Sequence, residues 1–136
     1  MTVLGDEPRL IQAVMNLLDN ALAYTDAGGS VTVEIAQRDG TALVRVCDTG
    51  IGISPDDLPH VFERFYCAEV ARAPHFAGSG LGLAIADCVI QAHSGTITVE
   101  SVPQAGTTFR ITLPRSLDVR LSASQLVVTL RKEGIA

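Results

Sequence analysis

Between Asp6 and Tyr24, Leu10, Val14, Leu17, Leu18 and Ala21 recur at helical spacing, which predicts a helix with one stripe turned to a core. Asp6 is placed to cap its start. Pro8 falls in the first turn, where a missing N–H costs nothing. Gly28-Gly29 stops the helix and leads into a strand. The period then drops to two: Val31, Val33 and Ile35 alternate with Thr32, Glu34 and Ala36, the pattern of a half-buried strand. Asp39-Gly40 is a two-residue hairpin signal. The return strand, Thr41 to Asp48, carries Leu43, Val44, Val46 and Cys47 on both faces, so it belongs in the middle of a sheet.

Regularity fails from Thr49 to Gly78, where glycines, prolines and short polar pieces surround one aromatic cluster, Phe62, Phe65 and Tyr66. An irregular connection of this length inside a domain points to a binding loop. A second helix is expected from about Ser79 to His93, with Leu81, Ile85, Cys88, Val89 and Ala92 on its apolar side and Gly95 just past its end. Two strands follow, Thr96–Ser101 and Thr107–Leu113, joined by a Pro-Gln-Ala-Gly turn. The domain is expected to span residues 1–114. Residues 115–136 read as a C-terminal extension with a weak hairpin pattern (Leu117, Val119, Leu121, then Leu126, Val128, Leu130). Long helices covering one face of a mixed, mainly antiparallel sheet of about five strands make an α+β two-layer sandwich.

The 136 residues fit one domain with one core, and 47% apolar against 18% charged residues describe a globular chain. A net charge of -5 argues against a nucleic-acid partner. No apolar run approaches the roughly 18 residues of a membrane span, and no signal segment opens the chain. Cys47, Cys67 and Cys88 are widely spaced, which fits a reducing compartment rather than a disulfide framework or zinc site. Cys47 and Cys88 read as small core hydrophobes.

Three segments carry candidate chemistry. Asn16 and Asn20 lie four residues apart, so both carboxamides leave one helix face, with Tyr24 a turn further on. Such a pair is either a solvated stripe or a source of hard oxygen donors for Mg²⁺. Asp48-Thr49-Gly50-Ile51-Gly52-Ile53 ends the central strand. There Asp48 can accept a charge-assisted hydrogen bond from an exocyclic amine, while Gly50 and Gly52 let backbone pass close to a ligand. Asp-Thr-Gly is also an aspartic-protease signature, but that fold has almost no helix and this segment lies between two helical patterns. Gly78-Ser79-Gly80-Leu81-Gly82-Leu83 opens the second helix, where free backbone N–H groups suit phosphates. It is neither a Rossmann fingerprint nor a P-loop.

In order and spacing the three resemble the ATP-binding domain of sensor histidine kinases, in the superfamily of gyrase, heat-shock chaperone and mismatch-repair ATPases, with its Bergerat-type fold. NLLDNALAYT (Asn16–Thr25) is similar to the family's N box, DTGIGI (Asp48–Ile53) to its first glycine box, VFERFY (Val61–Tyr66) to its F box and GSGLGLAI (Gly78–Ile85) to its second glycine box. The resemblance covers about residues 4–114. It implies ATP and Mg²⁺ as ligands, with Asn20 on the metal and Asn16 in support. Asp48 would read adenine beside Gly50, Gly52 and Ile53, with Tyr24 packed near the nucleotide. Gly78, Gly80, Leu81 and Gly82 would lie by the phosphates, and Phe62 and Phe65 would anchor a mobile lid of about Ser54 to Ala77.

Superfamily hydrolases carry a Glu base where Asn16 stands, and a carboxamide cannot take a proton from water. The resemblance therefore implies transfer rather than hydrolysis, to a histidine on a dimerisation domain, with a response regulator downstream. Neither His60, His75 nor His93 lies in anything like the acceptor segment, and His93 reads as a helix cap. A cytoplasmic location follows, in a parent that forms homodimers and is able to carry a membrane anchor. Ala23 and Cys67 stand where most relatives place cations, which leaves Arg64 and Arg72 to supply charge at the phosphates. Two alternatives follow: an anti-sigma-type serine kinase, or a degenerate nucleotide-binding switch.

Overall fold

The computed structural model describes residues 6–38, 40–63, 81–114 and 125–131. Helix α1 runs Glu7–Tyr24, strands β1 and β2 run Ser30–Arg38 and Thr41–Asp48, helix α2 runs Gly82–Ala92, and strands β3, β4 and β5 run Thr96–Val102, Gly106–Pro114 and Gln125–Arg131. The strands form one sheet in the order β3-β4-β2-β1-β5, so the strand with apolar residues on both faces is the middle one. Every pairing among the described residues is antiparallel, where the sequence allowed a mixed sheet. The reason lies in the crossover: the connection through α2 sets β3 parallel to β2, but β4 turns back and slots between them.

Local chemistry accounts for the element ends. The Asp6 carboxylate accepts from the Arg9 N–H at 3.3 Å, which caps α1. The helix stops before Gly28-Gly29, because Thr25 turns extended and its hydroxyl donates to the Ala21 carbonyl at 2.7 Å. Arg38 pairs with Thr41 across a two-residue turn in which Gly40 has φ +79, the geometry that favours glycine. Gln104 and Gly106, at φ 65 and 118, turn β3 into β4.

Both helices lie on one face of the sheet. Register puts Val99, Phe109, Val46 and Val33 in one row beneath them, and Ile97, Ile111, Val44 and Ile35 in the next. Phe109, Ile111 and Val46 are fully buried there, with Ala13, Leu17 and Ala21 of α1 and Ala86 and Ile90 of α2. Phe62 meets the Phe109 ring edge-on, centroids 6.0 Å apart, and with buried Val61 it closes the core after the short 3-10 turn Leu58–His60.

Two expectations need correction. The buried side of α2 is Ala84, Ala86, Val89 and Ile90, which keeps Val89 of the expected stripe but leaves Ile85, Cys88 and Ala92 exposed. With two small alanines on the buried side, the packed face is turned away from the one that Ile85 and Cys88 mark. Cys47 is not a core residue either. It lies half-buried on the far face of the sheet, which no described helix covers, and accepts from the Thr108 hydroxyl at 3.5 Å. That face also holds the Glu34–Arg45 and Glu100–Arg110 ion pairs.

β5 lies within the stretch read as an extension, and pairs with β1 from Ser30↔Arg131 to Ala36↔Gln125. The first half of the expected hairpin, Leu117 to Leu121, lies outside the described residues. His93 ties the helix ends together: its Nδ1–H donates to the Val89 carbonyl at 2.7 Å, and its Nε2 accepts the Asp6 N–H at 2.9 Å.

Phe109→Ala should cost about 3–5 kcal/mol, the loss of a large core ring with little scope for collapse. A denaturant titration that found less than about 1 kcal/mol would place the centre of the core elsewhere.

Candidate nucleotide site

The site is assembled at the end of the sheet where β2 finishes. Asp48, its last residue, is only 7% exposed. Its Oδ1 accepts two backbone N–H bonds, from Gly50 at 2.9 Å and from Thr107 on β4 at 3.2 Å. Oδ2 takes no hydrogen bond from any described residue and is the acceptor left for a ligand. Burial pushes the Asp48 carboxyl above the ordinary carboxylate range, and the Gly50 and Thr107 N–H bonds pull it part of the way back.

Close backbone contacts explain the glycines around it. A Cβ on Gly50 would collide with the Tyr24 carbonyl oxygen and lie 2.9 Å from Asp48 Oδ1. Gly52 has φ +75, and a Cβ there would collide with the Val102 carbonyl oxygen. A Cβ on Gly106 would meet the Asp48 carbonyl oxygen. Side chains at these three positions would push apart the segments that surround the carboxylate. Gly82 differs, because a Cβ there would make only ordinary contact with Asn16 at 3.9 Å.

Further bonds fix the loop after β2. The Ile51 N–H donates to the Tyr24 carbonyl at 3.1 Å, which joins it to the end of α1. The Gln104 N–H donates to the Ile51 carbonyl at 2.7 Å, and the Ile53 N–H to the Ser101 hydroxyl at 2.7 Å. Thr49 clasps Ser30, accepting its N–H on the side-chain oxygen at 2.9 Å. The loop is thus held from both sides by the first helix and the β3–β4 turn.

On α1, Asn16 and Asn20 are both half-buried. Asn16 donates its amide to the Gly82 carbonyl at 3.0 Å, which binds mid-α1 to the first residue of α2. The carboxamide of Asn20 makes no hydrogen bond to another described residue. The donor set suits a hard cation that is shared with phosphates, since a carboxamide oxygen alone makes no cage; no cluster of three His, Cys, Asp or Glu side chains occurs among the described residues.

Asn16, Asn20 and Tyr24 thus lie along α1, which joins the two other segments. Asn16 holds Gly82, next to Leu81 at the start of α2, and the Tyr24 carbonyl holds the loop after β2 that carries Asp48, Gly50, Gly52 and Ile53. Arg64, Phe65, Arg72, Gly78 and Gly80 lie outside the described residues, as do Tyr66, Cys67, His75 and Ser79. Sequence reading missed Ser101, Gly106 and Thr107. Thr107 pairs with Asp48 across 59 residues of chain, and no spacing within β4 signals that contact.

One stability consequence follows from the burial of Asp48. The folded chain holds this proton more tightly than the unfolded chain, so stability falls as pH rises from the ordinary carboxylate range through the raised folded value. Above that value the penalty is constant. Asp48→Asn keeps the Oδ1-type acceptor and removes the charge, so at pH 7 it should melt above the wild type. The gap should close as pH is lowered towards the ordinary carboxylate range. A variant that melts lower at every pH would contradict this account.

The comparisons with known proteins agree with this geometry. The model of the histidine kinase-, DNA gyrase B- and HSP90-like ATPase family matches residues 5–117. The chain is 46% identical over 110 residues to sensor histidine kinase RppB of Synechocystis, covering 81% of this chain and 24% of that protein. It is 42% identical over 120 residues to signal transduction histidine-protein kinase BaeS of Escherichia coli, covering 88% of this chain and 26% of that protein. It thus spans about a quarter of these relatives. Among solved structures, the mycobacterial sensor histidine kinase MprB superposes with a TM-score of 0.76 at 40% identity, over 85% of this chain and 78% of that one. Full-length ShkA in complex with AMPPNP gives 0.70 at 35% identity, over 83% of this chain and 23% of that one. With the carboxylate on the middle strand, the glycine loop and the paired asparagines on α1 all in place, the chain belongs to the histidine kinase-type ATPase family, as the ATP-binding catalytic domain of a sensor histidine kinase.

Proposed function

We propose that this domain binds ATP with Mg²⁺ and passes the γ-phosphate to a histidine on the dimerisation domain of the same kinase, from which a response regulator is phosphorylated. The observation that carries the reading is Asp48: a buried carboxylate with one oxygen saturated by two backbone donors and the other left for a ligand amine. In this reading Asp48 accepts from the adenine amine, and Gly50, Gly52 and Ile53 form the loop beside the base, with Tyr24 next to it. Asn20 offers its carboxamide oxygen to Mg²⁺, and Asn16, held on Gly82, keeps that face of α1 at the start of α2. The backbone N–H groups at the opening of α2, with Leu81, Gly82 and the glycines Gly78 and Gly80, suit the phosphates.

Bound Mg²⁺ would neutralise phosphate charge; the chain's own part is to position and to exclude a base. Asn16 cannot deprotonate water, so the domain holds ATP for transfer. The same residue weighs against the anti-sigma-type serine kinase reading, since most of those relatives are acidic at this position. The parent would be a homodimer working in the cytoplasm, and no helix among the described residues is long and apolar enough to cross a membrane.

Asp48→Ala should weaken ATP binding by roughly 1.5–3 kcal/mol, the worth of a hydrogen bond to a charged group. GTP, with a carbonyl in place of the amine, should bind more weakly than ATP. Unchanged ATP affinity of Asp48→Ala in calorimetry would remove the adenine assignment.

Phosphotransfer separates a working kinase from a nucleotide-binding switch. Ala23 places no cation on α1, so in a working kinase Arg64 or Arg72 must supply positive charge as the phosphoryl group moves. Arg72→Ala should then slow transfer to a histidine-bearing partner domain far more than it weakens ATP binding. ATP hydrolysis by the chain alone should stay near background. No transfer from the wild type, Arg72→Ala or Ala23→Lys, or hydrolysis on the order of 1 per second, refutes the kinase reading.

A further inference from the structure

Register places Ser101, Thr107 and Asp48 side by side on β3, β4 and β2, facing the helices. They form one polar row at the end of an apolar sheet, directly beyond the row of Val99, Phe109 and Val46. Thr107 is 6% exposed and stands between the other two. Ser101 has three partners: the Ile53 N–H at 2.7 Å, the Gly106 carbonyl at 2.9 Å and the Thr107 hydroxyl at 2.8 Å.

A hydroxyl has one proton and two lone pairs. The Gly106 carbonyl has no proton, so Ser101 donates to it. Ile53 can only donate, and takes one lone pair. The other is then left for Thr107, whose single proton goes to Ser101. The Thr107 oxygen is thereby fixed as an acceptor towards everything else. Beside it, Asp48 Oδ2 is an acceptor too, held there by the Thr107 N–H on Oδ1.

Building on the proposed adenine site, we propose that Ser101 is a positioning residue that sets nucleotide specificity. By consuming the Thr107 proton it leaves an end of the pocket that offers acceptors alone. Such an end accepts the two N–H groups of an exocyclic amine and repels a ring carbonyl. Ser101 touches no nucleotide in this account; it acts through Thr107 and through the loop that it holds at Ile53.

The test is calorimetry of ATP and GTP binding to the 136-residue chain as wild type, Ser101→Ala and Ser101→Thr. Ser101→Ala frees the Thr107 proton, so ATP affinity should fall about five- to tenfold, the effect of one neutral hydrogen bond. GTP affinity should hold or rise, and the ATP/GTP ratio should narrow by at least the same factor. Ser101→Thr keeps the hydroxyl and should keep the ratio. A merely structural serine would weaken both nucleotides equally, and that result overturns the proposal. If Ser101→Ala does not fold, Thr107→Val reads the same property: it should weaken ATP and not GTP, and an unchanged ratio refutes the idea. Absence of ATP binding by the wild type overturns the adenine reading along with this one. ATP binding with wild-type selectivity in Ser101→Ala overturns this one alone.

Discussion

A carboxylate at the end of a buried strand is tolerated only where donors have been arranged for it, and the architecture of this domain follows from that requirement at Asp48. Two backbone N–H groups reach one of its oxygens, one from the loop that follows it and one from the neighbouring strand. For both to arrive, the chain must pass within contact of Tyr24, Val102 and Asp48 itself, at Gly50, Gly52 and Gly106. Those glycines in turn fix how α1, the loop after β2 and the β3–β4 turn come together. The second oxygen is left open, so the same arrangement that makes the carboxylate tolerable also aims it.

The core supplies the rigidity this needs. Leu17, Phe109, Val46 and Ile90 are fully buried, and β2 has a paired strand on each side. A carboxylate on the middle strand therefore has little freedom to relax away from its donors. The polar far face of the sheet contributes little to this. Its ion pairs, such as Glu34–Arg45 at 3.6 Å, are partly exposed to water and add little stability.

Sequence periodicity made most of the fold legible, because burial alternates along β3 and β4 and α1 buries one apolar stripe. The middle position of β2 could be read from Leu43, Val44, Val46 and Cys47, although the described helices cover only one of its faces. The buried side of α2 could be read only at Val89, since Ala84 and Ala86 carry little hydrophobic signal, while Ile85 and Cys88 carry more and face outward. Asp48, its glycines and the asparagine pair stood out because the types are unusual at those spacings. Ser101 and Thr107 did not. Hydroxyl residues are ordinary in strands, and their meaning arises from pairing between segments that are far apart in the chain.

The clasp between the two helices bears on a question of a different kind, whether the domain can serve as its own phosphate acceptor. A phosphoramidate forms at a ring nitrogen with a free lone pair that can be reached in line with the leaving group. In His93 one nitrogen spends its proton on the Val89 carbonyl and the other spends its lone pair on the Asp6 N–H. To become nucleophilic, the ring would have to release the start of α1 from the end of α2. In the fold as described, both nitrogens of this imidazole are spoken for, and His93 serves as a clasp rather than a nucleophile.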